Sequence, residues 1–191
     1  MKELDEYLKK CNKRTIQQVA EASMMLSNIP WKSVSFIIDT VPVPSHRPRL
    51  CGYRVYVPGA AKNQAFFNKK VLPKLNGLFI DTPCKMYVDI YCKIPSSFSK
   101  AQTALAEMKL LRPCVNTGDN DNYEKAVWDM LQPNEKRGHV GIMANDCLII
   151  DNFASKYYSL HPRYEVTIEY MTGISDDIRK LLRLKNVEDL I

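Results

Sequence analysis

The tightest constraint on the fold is a change of hydrophobic period along the chain. Met86 to Ile90 alternates apolar and polar residues, Tyr91 to Ile94 continues the run, and Val166, Ile168 and Tyr170 share one face of Tyr164 to Tyr170. A period of two puts every second side chain on the same side of a pleated strand, so both stretches predict half-buried strands. Elsewhere the period lengthens to that of a helix. Leu4 and Leu8 with Cys11, then Ile16, Val19, Ala20, Ser23 and Leu26, predict helix through the first thirty residues, ended by Pro30. Helices are also predicted for Ala60 to Leu75, with Phe66, Val71 and Leu75 as anchors, and for Ser99 to Leu110 and Asn122 to Leu131. A last helix, Ser175 to Leu184, is marked by Ser175-Asp176-Asp177 at its start. Val34 to Ile38, Arg54 to Val57, His139 to Met143 and Cys147 to Phe153 complete the expected strands. In 191 residues this mixture predicts one α+β domain, a mixed β-sheet flanked by helices, with extra N-terminal helices.

Hydrophobic residues at 46% and charged residues at 25% exclude a disordered or fibrous chain. No apolar run approaches the length of a membrane span. The first ten residues carry Glu3, Asp5 and Glu6 and lead into no apolar stretch, so no signal peptide is expected and the location is read as cytoplasmic. The six cysteines form no CxxC pair, which argues against structural zinc and for reduced thiols. Cys84, Cys92 and Cys147 sit in apolar surroundings and are expected in the core.

Charge is unevenly spread. The net charge is +6, and Val41 to Ile80 holds seven basic residues (Arg47, Arg49, Arg54, Lys62, Lys69, Lys70, Lys74) and no acidic one. A bias kept up over forty residues suits a polyanion surface, although a solvated basic face would look the same. Pro42, Pro44 and Pro48 keep its start extended and out of any central strand.

The acidic residues gather in Thr117-Gly118-Asp119-Asn120-Asp121-Asn122-Tyr123-Glu124-Lys125. Asp119 and Asp121 are two apart in an extended approach, so both can point the same way. Asp121 is expected to cap the following helix, with Glu124 completing a capping box, and Lys125 and Asp129 share a helix face. A calcium loop is excluded, because Glu124 stands where glycine is required and Met130 where the twelfth-position Glu belongs. A phosphate cradle is excluded because Gly118 is the lone glycine. Two readings stay open: a plain capping box with a salt-bridged face, or a carboxylate site for a hard cation. Asp146, between two apolar segments, is the best further carboxylate, with Asp151 as its rival.

These residues resemble the RusA-like Holliday-junction resolvases, a family of crossover junction endodeoxyribonucleases. The resemblance rests on Asp119-x-Asp121-Asn122, Lys125 three residues on, Asp129 four further, and Asp146 before Leu148-Ile149-Ile150. Lys156 with Tyr157-Tyr158, Pro162 and Val166 to Glu169 resembles the family's C-terminal segment, and Pro42-Val43-Pro44 with Arg47, Pro48 and Arg49 its N-terminal region. Gly118 stands where the family usually has proline, and Asn145 where it has the first of two acids. The resemblance implies residues 32–171 as a RusA-like nuclease domain. Residues 1–31 would be a helical extension, and 172–191 a C-terminal helix packed on the same domain. It implies Mg²⁺ or Mn²⁺, a homodimer, branched double-stranded DNA as substrate, paired nicks across a four-way junction, and a phage or prophage protein in a bacterial host. Asp119, Asp121 and Asp146 are then the expected metal ligands, with Lys125 on the scissile phosphate and Asn122 and Asp129 as their supports. Arg47, Arg49, Lys62, Lys69, Lys70 and Lys156 are the expected DNA contacts. A non-catalytic branched-DNA-binding protein and a metal nuclease for flap or duplex DNA are the rival functions.

Overall fold

A computed structural model describes residues 2–45, 49–51, 54–56, 59–115 and 117–184. The chain forms two compact units, one of Ser33–Tyr170 and one that joins Met1–Lys32 to Met171–Ile191. In chain order the regular elements are α1 (Lys2–Lys9), α2 (Lys13–Ser27), β1 (Trp31–Ile38), β2 (Arg49–Cys51), β3 (Arg54–Tyr56), α3 (Ala60–Lys70), β4 (Cys84–Lys93), α4 (Lys100–Glu107), α5 (Asn120–Leu131), β5 (Ile149–Ser159), β6 (Arg163–Met171) and α6 (Asp176–Leu181).

Four strands make the main sheet in the order β1-β6-β4-β5, and β2 pairs with β3 as a separate antiparallel ribbon. β4 runs parallel to β5 and antiparallel to β6. β5 and β6 follow each other in sequence, yet β4 lies between them. The predicted mixed sheet with flanking helices is therefore the observed one. The alternation in β4 explains its central place: Cys84, Met86, Val88, Ile90 and Cys92 are all buried. Across the ladder Val88 meets Val166 and Ile90 meets Tyr164, whose side chains are buried on the same face. That face is covered by α5, whose Tyr123, Ala126, Val127, Met130 and Leu131 recur at helical spacing and are all buried. Burying each of the larger of these side chains stabilises the fold by about 1.5–3 kcal/mol.

Several local expectations differ. His139 to Met143 is not a strand; its pairing reduces to two isolated bridges, Met143 with Ile80 and His139 with Asn134. Ile142 and Met143 instead donate to the Leu131 carbonyl at the end of α5, at 2.7 and 3.0 Å. Gly141 makes that approach possible. It has φ +66°, and a Cβ there would lie 2.5 Å from the Leu131 carbonyl oxygen. In α3 the deepest anchor is Phe67 and not its neighbour Phe66, and the helix ends at Lys70 before a 3₁₀ turn over Leu72–Lys74. Cys84 and Cys92 are buried as expected, but Cys147 is exposed, because it falls in a 3₁₀ turn (Asp146–Leu148) ahead of the strand.

In the unit formed by the chain ends, Asn12 caps α2 by accepting from the Thr15 amide, and Ser175 caps α6 by accepting from Ile178. Neither α1 nor α2 has a buried residue. Among the described residues no helix is long and apolar enough to cross a membrane.

Candidate functional site

α5 begins earlier than its apolar pattern suggests. Asp119, in extended conformation, takes the N-cap position, and Asp121 falls inside the first turn. The expected capping box is absent. The Asp119 side chain makes no capping bond and is exposed, so its carboxylate projects from the head of the helix. Asp121 is also exposed, where the helix dipole favours an anion. Further along, Lys125 Nζ lies 3.8 Å from Asp129 Oδ1, joining the two residues that were expected to share a face.

Asp146 arrives from the turn before β5. Asn145 takes the capping role there by accepting from the Cys147 amide at 2.9 Å, which leaves the Asp146 carboxylate to act elsewhere. It acts on Asp129: burial raises the Asp129 pKa first, Lys125 opposes that shift, and the Asp146 charge adds to it. The rival Asp151 stands in register with Lys85, on the face of the sheet opposite Met86 and therefore away from α5. Glu124 is likewise held above its usual carboxyl range, by burial first and by the Asp121 charge, against a hydrogen bond from Asn152 on β5.

The loop that delivers Asp119 is gripped from three directions. Lys156 Nζ on β5 donates to the Gly118 carbonyl at 2.8 Å and reaches Thr117 Oγ1 at 3.5 Å. The Tyr123 hydroxyl shares a hydrogen bond with the Gly118 backbone and another with Cys92. Pro44 closes the third side. A Cβ on Gly118 would lie 2.7 Å from Pro44 Cβ, so no larger residue fits without a shift. Ser45 donates to the Asn122 carbonyl at 2.8 Å, tying the proline-rich segment to the first turn of α5. Sequence reading marked Gly118 and Pro44 only through the family resemblance and missed the contacts of Tyr123 and Asn152. The alternation of β5 was the available clue for Asn152.

The basic helix α3 leans on the acidic one. Gln64 donates to the Asp129 backbone carbonyl at 2.9 Å, and Arg137 donates to Gln64 Oε1 at 3.1 Å. A crevice lined by Val43, Ser45, Ala60, Asn63 and Asp129 runs between α3, the proline-rich segment and α5. Lys62, Lys69 and Lys70 are exposed on α3. Arg47 lies outside the described residues, and Arg49 is described only as part of β2.

The family model for endodeoxyribonuclease RusA matches residues 39–169, more than half of the chain. The chain belongs to the RusA family. Asp119, Asp121, Lys125, Asp129 and Asp146 all lie within the matched stretch, which falls wholly inside the Ser33–Tyr170 unit. The uncharacterized protein YqaN of Bacillus subtilis (strain 168) is 33% identical over 147 residues, covering 73% of this chain and 98% of the relative. RusA membership makes the chain an endodeoxyribonuclease directed at branched DNA. Among the described residues no three metal-binding side chains converge on one point. The donor chemistry nevertheless fits a hard cation: Asp119, Asp121 and Asp146 offer carboxylate oxygens, and the Asp146 charge bears on Asp129 even with Lys125 beside it.

Proposed function

We propose that this RusA-family chain resolves four-way DNA junctions by Mg²⁺- or Mn²⁺-dependent phosphodiester hydrolysis. The observation that carries the proposal is the uncapped Asp119 carboxylate. It heads the same helix that bears Asp121, Lys125 and Asp129, with Asp146 in electrostatic reach of Asp129. Asp119, Asp121 and Asp146 would hold the cation, which when bound supplies water activation and charge neutralisation at the phosphate. Lys125 is half-exposed and presents a point charge to the scissile phosphate, and Asp129 orients it at 3.8 Å. Arg47, Arg49, Lys62, Lys69 and Lys70 bind the DNA backbone, a sequence-independent contact that positions the duplex arms. Two such sites in a C₂ homodimer match the two equivalent strands of a four-way junction. This leaves recombination or repair of phage DNA in a bacterial host as the setting.

The test is incubation of a synthetic four-way junction with wild type, Asp119→Asn and Asp121→Asn, in Mg²⁺, Mn²⁺ and EDTA, with linear duplex alongside. Wild type should cut the junction only with metal. Both variants should lose cleavage while binding the junction as well as wild type or slightly better, since each removes negative charge near phosphate. Equal cutting of linear duplex would replace junction resolution by a broader metal nuclease. Tight binding without cutting in any metal would make the chain a branched-DNA-binding protein.

A further inference from the structure

We propose that Lys156 is a positioning residue for the Asp119 carboxylate and not a contact to DNA phosphate, an inference that rests on the nuclease reading above. Lys156 is in register with Ile90 on the helix-covered face of the sheet, between Ala154 and the buried Tyr158. An ammonium placed on such a face is stable only if its donors are matched. The match here is the backbone next to Asp119: Nζ donates to the Gly118 carbonyl at 2.8 Å and approaches Thr117 Oγ1. The base of the lysine is itself fixed, since Arg112 Nε donates to the Lys156 carbonyl at 2.9 Å.

Three further observations make the contact a clamp and not a passing ion–dipole pair. The Lys156 charge lowers the Cys92 pKa against the larger effect of burial, so the ammonium also sits by the Cys92–Tyr123 hydrogen bond. Tyr123 engages the Gly118 backbone from the helix side. Pro44 leaves no space in which the residue could swing. Gly118 is thus held by β5, α5 and the proline-rich segment at once, and the next residue is Asp119, whose side chain has no partner in the helix cap. The loop backbone carries the positional information for that carboxylate. Lys156 supplies the link from the sheet.

Lys156→Met keeps the aliphatic stem and removes the donor, and Lys156→Arg keeps a donor and the charge. For Lys156→Met the rate at saturating junction should fall by about 10–100-fold, the usual cost of losing a group that orients a metal ligand. Junction affinity in EDTA and its salt dependence should stay at wild-type values. Mn²⁺ affinity measured by calorimetry should weaken by a comparable factor, and amide exchange at Gly118 and Asp119 should accelerate. Lys156→Arg should recover much of each loss. A phosphate contact would instead appear as weaker binding in EDTA, with the slope of log K against log salt flattened by about 0.9. That result, or unchanged exchange and Mn²⁺ affinity, overturns the proposal. If Lys156→Met fails to fold by circular dichroism, Lys156→Gln, which also loses the charge and is too short to reach the Gly118 carbonyl, carries the same comparison. Wild type that cuts no junction in any metal would sink the nuclease reading, while the exchange and Mn²⁺ measurements still decide the role of the lysine.

Discussion

His139 shows how burial turns a titratable residue into a structural one. It is buried, with Nε2 donating to the Met130 carbonyl at 2.7 Å and Nδ1 2.9 Å from the Asn68 side-chain amide. Burial lowers its pKa below the ordinary 6.5, against the Met130 hydrogen bond. A folded-state pKa below the unfolded one means that the unfolded chain binds the extra proton. The stabilisation is complete above pH 6.5 and is lost as pH falls through the depressed folded value. Thermal melts from pH 7.5 down to pH 5 should therefore show wild type losing stability, and His139→Gln, which cannot titrate, losing less over the same range. Parallel curves for the two proteins would remove His139 as the cause.

At the scale of elements, α5 and the segments against it form the working part of the molecule. Its buried stripe fixes the helix on the sheet, and the polar stripe follows by geometry. Gly118 joins this helix to the proline-rich segment with no spare volume. Gly118→Ala should cost about 1–3 kcal/mol through overpacking against Pro44, whose ring cannot rotate away. Chemical denaturation should register that loss as a lower midpoint at unchanged slope, and junction affinity should fall as the proline-rich segment shifts. A variant with wild-type midpoint and affinity would mean that the segment tolerates displacement. How much of this site was legible depends on the residue. Asp119, Asp121, Lys125 and Asp129 were legible because helical and extended spacings are local properties. The true start of α5 was not: two aspartates and an asparagine all qualify as caps, and the choice is made by the grip of Lys156, Tyr123 and Pro44 on the preceding loop. The inward turn of Lys156 was illegible for the same reason, since its partner lies 38 residues away.

For the molecule as a whole, the family match at 39–169 leaves the helical chain ends outside it. α1 and α2 bury no residue, and Leu4, Tyr7, Ile16, Val19, Met24 and Met25 are exposed on them. The hydrophobic core is drawn from Ile38 onward. Deleting residues 1–27 should therefore shift the melting temperature of the remaining chain by no more than a few degrees, with junction cleavage retained. Calorimetry and the cleavage gel check both. A loss of cooperative melting would show that the N-terminal helices are integral to the core.

The sequence by itself determined the mixed α+β class, the alternating strands β4 and β6, the helix bearing Lys125 and Asp129 with the two aspartates at its head, and the absence of any cysteine pair suited to zinc. Each follows from a period or spacing within a dozen residues, where local sterics and one-sided burial leave a single answer. Tertiary structure alone decided that β4 lies between β5 and β6, that His139 to Met143 docks on the end of α5 in place of forming a strand, and that Cys147 is exposed. It also placed Asp146 towards Asp129 and Asp151 on the other face of the sheet. Those outcomes depend on strand order and register, and so on contacts between residues far apart in the chain. A shift of one residue in register would have turned Asp151 to the helix-covered face without changing any local pattern.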